Sequence, residues 1–259
     1  MIETWLDWPA AGIFAALIAL YGATAAAIAW LSYGAMAGPS VRRLDGVVAP
    51  YFGAVGILFA LLTSFLAGDI GDRNRQAARA VQAESGELRN VFTLSVASAS
   101  DMREIRAAWA GYVKAVIIDD WKAMESGEQA VSVNAAYDAL LREVSDPRIA
   151  TESGAAVHAA LLNAAVRVGT ARSDRLALAS DRTNELKWMM VLILGVMTQV
   201  AIGLVHLTKR NAQAAALVVF SIAAVVTLGL IAMQERPFAG TVRVAPAPLQ
   251  ELLKLPAAG

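Results

Sequence analysis

Hydrophobic residues in this 259-residue chain gather into four long stretches, and polar residues fill the interval between the second and the third. The stretches run from about Ala11 to Tyr33, from Pro50 to Ile70, from Trp188 to Leu207, and from about Ala212 to Met233. A hydrocarbon core about 30 Å thick is crossed by about twenty helical residues. The pattern therefore predicts four membrane spans arranged as two pairs.

The polar interval is predicted to be helical, because its apolar residues recur three and four positions apart. We expect an all-α membrane protein in which an extramembrane antiparallel four-helix bundle is inserted between spans two and three. We expect the bundle's last helix, begun by Asp146 and Pro147, to enter span three as one rod. The expected divisions are an N-terminal hairpin (1–70), the bundle (71–186), a C-terminal hairpin (187–233) and an extramembrane tail (234–259).

The two short loops between paired spans predict the orientation. Arg42 and Arg43 lie in one loop, and Lys209 and Arg210 lie in the other. Short loops rich in Lys and Arg stay in the cytoplasm, whereas long domains cross largely regardless of charge. We therefore expect a bacterial inner-membrane protein whose N-terminus, bundle and C-terminus are extracytoplasmic.

Composition narrows the chemistry. The sequence is 57% hydrophobic, has a formal net charge of zero and contains no cysteine. A neutral chain has no overall field that attracts nucleic acid, and the absence of cysteine excludes disulfides and thiolate sites. No catalytic triad, phosphate-binding glycine loop or metal-ligand spacing is present. We expect neither an enzyme nor a cofactor or metal, and the expected partners are the lipid bilayer, inorganic ions and further copies of the chain.

Span two carries the candidate pore residues. Thr63 and Ser64 lie inside it, where their hydroxyls either line a water path or bond to backbone and neighbouring helices. Phe59 is a candidate hydrophobic constriction, with lipid or helix contact as the alternative. Asp69 and Asp72 lie where the span leaves the membrane, and in an oligomer they would form carboxylate rings that favour cations. The alternative for both is ordinary charge at a helix end.

Gln199 is the most deeply placed strongly polar residue of span three. A side-chain amide in hydrocarbon needs a partner, so it either ties helices together or belongs to a polar conduit. No Asp, Glu, Lys or Arg lies deep within any span. Transporters and proton relays usually have such a residue, so the sequence favours a channel or a non-conducting assembly. The clustered carboxylates around Asp119 and Asp120 are expected to be a solvated helix face.

Three segments carry a family resemblance. They read FALLTSFLAGDIGDRNRQAARAVQAESGELRNVFTLS at the end of span two, RSDRLALASDRTNELKWMMVLILGVMTQVAIGL into span three, and QERPFAGTVRVAPAPLQELL after span four. Together they resemble the bestrophin-like membrane proteins of bacteria and plants, including the tail signature Arg236, Pro237, Phe238, any residue, Gly240. The resemblance implies kinship with bestrophin anion channels. No acidic calcium-clasp run accompanies it.

These observations lead to two hypotheses. The first is a homo-oligomeric ion channel that span two lines, with a slight preference for cations. The second is a non-conducting membrane-anchored sensor or scaffold whose helical bundle docks a partner protein. The tail either packs against its own helical domain or crosses to a neighbouring subunit.

Overall fold

The computed structural model describes residues 2–35, 38–44, 49–98, 100–126 and 128–255. Throughout this part of the chain the regular structure is helical. The helices are α1 (Ile2–Leu6), α2 (Ala10–Tyr33), α3 (Gly38–Val41), α4 (Ala49–Ala97), α5 (Arg103–Ala115), α6 (Trp121–Glu125), α7 (Val131–Val144), α8 (Arg148–Ser153), α9 (Ala155–Ser180), α10 (Glu185–Val205), α11 (Arg210–Ala232) and α12 (Ala247–Leu252). A short 3₁₀ turn (Arg42–Leu44) follows α3, and a π-helical turn (Val116–Asp120) joins α5 to α6.

Four helical segments are long and apolar enough to cross a membrane, and each of them overlaps one of the four predicted spans. Contacts divide the chain into two compact units. Residues 1–72 with 182–235 form what we call the membrane unit, and residues 73–181 with 236–259 form the bundle unit.

Span one is held in the membrane unit by side chains that rest on glycines. Its residues at positions 14, 21 and 28 are seven apart and therefore share one face of α2. At each of the three glycines, an added Cβ would overlap the side chain that rests there. The three pairs are Phe14 on Gly229, Tyr21 on Gly195, and Ile28 on Gly203. Small residues allow such close helix packing in a membrane.

The bundle unit has a separate core, to which α4, α5, α7 and α9 contribute. Its fully buried apolar side chains include Leu88, Tyr112, Leu140, Leu161 and Val168. Trp109 lies among them and donates its indole N–H to the carbonyl of Leu88 at 2.8 Å.

The last helix of the bundle differs from the prediction in two ways. Asp146 and Pro147 begin only the short helix α8, and α9 begins after Gly154, whose φ of +89° and ψ of 149° favour glycine. The expected single rod into span three is also wrong. Asp181 is extended, and Asn184 caps α10 by accepting the amide N–H of Leu186 at 2.8 Å. This capping side chain competes with helix continuation.

Candidate functional site

One face of span two packs within the membrane unit. The rings of Phe59 and Phe220 lie 5.6 Å apart, centroid to centroid. Thr63 is 8% exposed, and its hydroxyl oxygen has no hydrogen-bond partner among the described residues. Leu66 and Ile70 continue this face and are almost fully buried. Phe59 and Thr63 therefore face the interior of their own subunit.

The opposite face of span two is exposed. Ser64 lies on it and donates its hydroxyl hydrogen to the carbonyl of Ala60, one turn earlier, at 2.9 Å. Small residues share this edge of the helix, and large apolar side chains occupy the adjoining edge. The exposed small residues are Gly53, Ala60, Ser64 and Gly68. The exposed large ones on the adjoining edge are Leu58, Leu61 and Phe65, whereas exposed Ile57 lies seven residues before Ser64 and in line with it.

Asp69 and Asp72, the two carboxylates expected to form rings at the end of span two, differ in their surroundings. Asp69 forms an ion pair with Lys187, and both side chains are about half exposed. Asp72 is exposed one turn further along the helix. Exposed ion pairs contribute little to stability. The main effect of the pair is therefore that Lys187 neutralises the charge of Asp69.

Gln199 ties three membrane helices together. Its amide nitrogen donates to the carbonyl of Tyr21 at 3.0 Å and to the hydroxyl of Ser221 at 2.8 Å. Its amide oxygen accepts the hydroxyl hydrogen of Thr24. The side chain is fully buried, so in this subunit every polar atom of the amide is engaged by α2 or α11.

A buried carboxylate that sequence reasoning missed lies at the end of span four. Glu235 is 2% exposed and accepts the amide N–H of Thr183 at 2.7 Å and the indole N–H of Trp188 at 3.1 Å. The Trp188 ring meets Trp5 edge to face, with the centroids 5.6 Å apart. Glu235 thus joins the end of α11 to the segment that leads into α10.

A second feature that sequence reasoning missed is an ionic cluster inside the bundle unit. Arg175 is fully buried and bridges two fully buried carboxylates: its Nε donates to Glu84 at 2.6 Å and its Nη2 to Asp120 at 3.0 Å. Arg172 donates to both oxygens of Asp120, at 2.9 and 3.2 Å, and to the side-chain oxygen of Asn134 at 2.7 Å. Two positive and two negative charges make the cluster neutral, as buried charges require.

Asp120 was expected on a solvated helix face, and this prediction is wrong. The π-helical turn ends at Asp120 and directs its carboxylate to the arginines of α9, whereas neighbouring Asp119 accepts the hydroxyl hydrogen of Ser132 at 2.7 Å. A signal was present in the sequence: Glu84 recurs with Val81 and Leu88 at the spacing of a buried helical stripe.

Tyr112 completes the cluster. Its hydroxyl donates to Glu84 at 2.7 Å. Burial and then the negative charge of Glu84 raise the pKa of Tyr112 well above its ordinary value. Burial alone would lower the pKa of Arg175, but the charges of Glu84 and Asp120 raise it. Tyr112 therefore stays protonated and Arg175 stays charged at physiological pH.

The tail signature packs against α6 of its own bundle unit. Arg236 donates to the carbonyl of Glu125. Phe238 is 2% exposed, and its ring meets Trp121 edge to face with the centroids 5.9 Å apart. Pro237 accepts the amide N–H of Val244 at 2.7 Å. Gly240 makes the turn between them with a φ of +82°, a region that favours glycine.

Among the described residues, no group of three His, Cys, Asp or Glu side chains is placed to hold a metal ion. The clusters found in this part of the chain are charge-compensated or hydrogen-bonded within the protein.

Comparisons with known proteins identify the family. A family model described as the bestrophin-like domain matches residues 11–249. A structure of a membrane protein variant is similar with a TM-score of 0.67 at 12% identity, covering 92% of this chain and 96% of the other. A variant of a bacterial bestrophin homologue from Klebsiella pneumoniae gives a TM-score of 0.66 at 12% identity, covering 95% and 96% of the two chains.

A second Klebsiella pneumoniae bestrophin homologue structure gives a TM-score of 0.65 at 11% identity, covering 93% of this chain and 94% of the other. No curated protein matches the sequence. The likeness to these structures confirms the predicted fold class, an all-α membrane protein with a helical bundle inserted between spans two and three. Since the family model covers most of the sequence, the chain belongs to the bestrophin-like family of integral membrane proteins.

Proposed function

We propose that this protein is a homo-oligomeric ion channel whose pore is lined by span two. Membership of the bestrophin-like family supports an ion channel as the class of function. The observation that supports the location of the pore is the exposed face of span two, on which small residues and one hydroxyl share an edge. Four spans in one subunit leave this face without a protein neighbour, so several copies are needed to enclose water.

Ser64 is the residue that we propose to line the pore. It lies on the exposed edge, whereas Phe59 and Thr63 are turned toward the interior of their subunit. The small residues Ala60 and Gly68 flank it by one turn on either side and leave the edge wide enough for copies to pack around an axis. Large apolar residues on the adjoining edge would form the contact between subunits.

Cysteine accessibility tests this location. The chain contains no cysteine, so Ser64→Cys creates a single thiol without further changes. We expect a charged, water-soluble thiol reagent to block ion flux through Ser64→Cys channels in liposomes. Phe65→Cys is the matched control. Phe65 is the next residue in the sequence and is 63% exposed, but it lies on the large apolar edge. Equal block of both variants, or of neither, would contradict the proposed pore face.

We further propose a slight preference for cations, supplied by Asp69 and Asp72 at one mouth of the pore. Rings of carboxylates favour cations, and the pairing of Lys187 with Asp69 offsets part of that charge. Lys187→Gln should therefore increase the ratio of cation to anion permeability, and Asp72→Asn should decrease it.

Reversal potentials in asymmetric salt measure these ratios. Asp7→Asn is the control, because Asp7 is a partly exposed carboxylate of the membrane unit that pairs with Arg182 and is not one of the two proposed ring residues. If the reversal potentials of Lys187→Gln and Asp72→Asn equal that of Asp7→Asn, the carboxylate rings play no part in selectivity.

We propose that the short loops face the cytoplasm of a bacterial inner membrane, with both termini and the bundle outside. Arg42, Arg43, Lys209 and Arg210 are all exposed, and such loops resist translocation. A single cysteine at exposed Arg89 in the bundle should react with a membrane-impermeant thiol reagent in intact spheroplasts. Reaction only after lysis would reverse the orientation.

A further inference from the structure

We infer that the tail signature is a clasp that selects one of two helical registers in the bundle unit, and thereby holds the buried ionic cluster closed. The clasp consists of residues 236–244, and the register is that of α6 after the π-helical turn. This inference concerns the bundle unit alone and is independent of ion conduction.

Trp121 is the point where clasp and cluster meet. Phe238 of the clasp contacts the Trp121 ring edge to face, and the Trp121 indole N–H points to the carbonyl of Val244 at 3.4 Å. The guanidinium carbon of Arg175 lies 5.0 Å from the centre of the same ring. A cation over an indole ring is attracted to it most when both are dry, and Trp121 is only 6% exposed. The clasp thus covers a ring that itself covers the central arginine.

The tail is attached beside both carboxylates of the cluster. Trp121 directly follows Asp120 in the sequence. On α4, the residue that follows Glu84 is Ser85, and its hydroxyl donates to the carbonyl of Pro248 at 2.9 Å. Pro248 belongs to α12, whose Leu249 and Leu252 are fully buried in the bundle core.

Glu125 gives the clasp a polar attachment one turn after Trp121. Its carbonyl accepts a hydrogen bond from Arg236, and its carboxylate pairs with Arg243. Both partners therefore hold α6, the segment that follows the π-helical turn. The clasp makes these contacts only if Trp121 and Glu125 point the way that the extra residue of the π turn directs them.

The π-helical turn supplies the second register. If the π turn changed to ordinary α-helix, α6 would rotate by about 100°, which is the rotation per residue of an α-helix. Asp120 would then leave Arg172 and Arg175, and Trp121 would leave Phe238. Because both sets of contacts depend on one register, cluster and clasp form and open together. Single π turns inside α-helices are frequent at functional sites.

Amide hydrogen exchange on the full-length protein in detergent tests this coupling. In Phe238→Ala we expect exchange of residues 116–125 to accelerate by roughly a hundred-fold, while α7 keeps its protection. Val242→Ala is the control, because Val242 belongs to the same tail but is 48% exposed. Unchanged exchange at 116–125, or equal acceleration throughout the bundle, would overturn the inference.

The converse variant keeps the inference testable if Phe238→Ala fails to fold. Opening the cluster must release the clasp, because coupling between two sites is reciprocal. Asp120→Asn should therefore accelerate exchange of residues 238–244. Asp119→Asn is the matched control, since this neighbour bonds Ser132 outside the cluster. Protection of residues 238–244 that is equal in both variants would show that clasp and cluster are independent.

Discussion

Replacing Arg175 by methionine removes the central charge of the ionic cluster. The guanidinium of Arg175 makes hydrogen bonds to Glu84, Asp120 and the sulfur of Met124, and no part of it reaches solvent. In Arg175→Met, the two buried carboxylates would keep only Arg172 as a positive partner. The cluster would change from neutral to a net charge of −1 in a dry core.

The expected cost is large. Breaking a buried ion pair by removing one partner destabilises a protein by about 3–5 kcal/mol, because a buried charge is left uncompensated. Arg167→Met is the matched control on the same helix. Arg167 pairs with Glu87 at 2.8 Å but is 57% exposed, and an exposed pair contributes about 0–1 kcal/mol. The two variants should therefore differ by about 2–5 kcal/mol.

The free energy of opening is measured from hydrogen exchange of the slowest amides in α9. The double variant Glu84→Gln with Arg175→Met restores a neutral cluster, because Asp120 and Arg172 still pair. We expect it to be more stable than Arg175→Met alone. A cost for Arg175→Met no larger than that for Arg167→Met, or a double variant less stable than the single one, would refute the electrostatic account.

Three further predictions concern packing and backbone. Gly229→Ala should lower the melting temperature in detergent by overlapping Phe14, at a cost of about 1–3 kcal/mol, whereas Gly22→Ala, which has open space, should not. Gly240→Ala should destabilise the bundle unit by about 1–2 kcal/mol in exchange measurements, because its φ of +82° strains any side chain. Gln199→Leu should cost about 1–2 kcal/mol in thermal unfolding, since it removes three hydrogen bonds inside the membrane unit.

The spans were predictable from sequence because the signal is local. Twenty apolar residues in a row can be recognised without knowing their neighbours. The break before span three was not predicted, because it depends on the capping side chain of Asn184. Nothing in the sequence distinguishes this side chain from the other polar residues around it. The carboxylate of Glu235, more than fifty residues away in the chain, then binds the amide of Thr183 at that break.

The ionic cluster illustrates what sequence patterns miss. Asp119 and Asp120 are adjacent and chemically identical, yet Asp120 is fully buried whereas Asp119 is partly exposed and accepts a hydrogen bond from Ser132. The difference arises from one π-helical turn and from Arg172 and Arg175, which lie on another helix. Likewise, Thr63 and Ser64 are neighbours in span two, but only packing within the subunit decides which of them faces outward.

Ion flux through liposomes that contain only the purified chain tests the central claim most directly. We predict flux that rises with the amount of protein and that is carried by particles of several subunits. Liposomes that hold folded protein, verified by protection of the bundle amides, and yet pass no ions above the empty-liposome level would contradict the proposed channel.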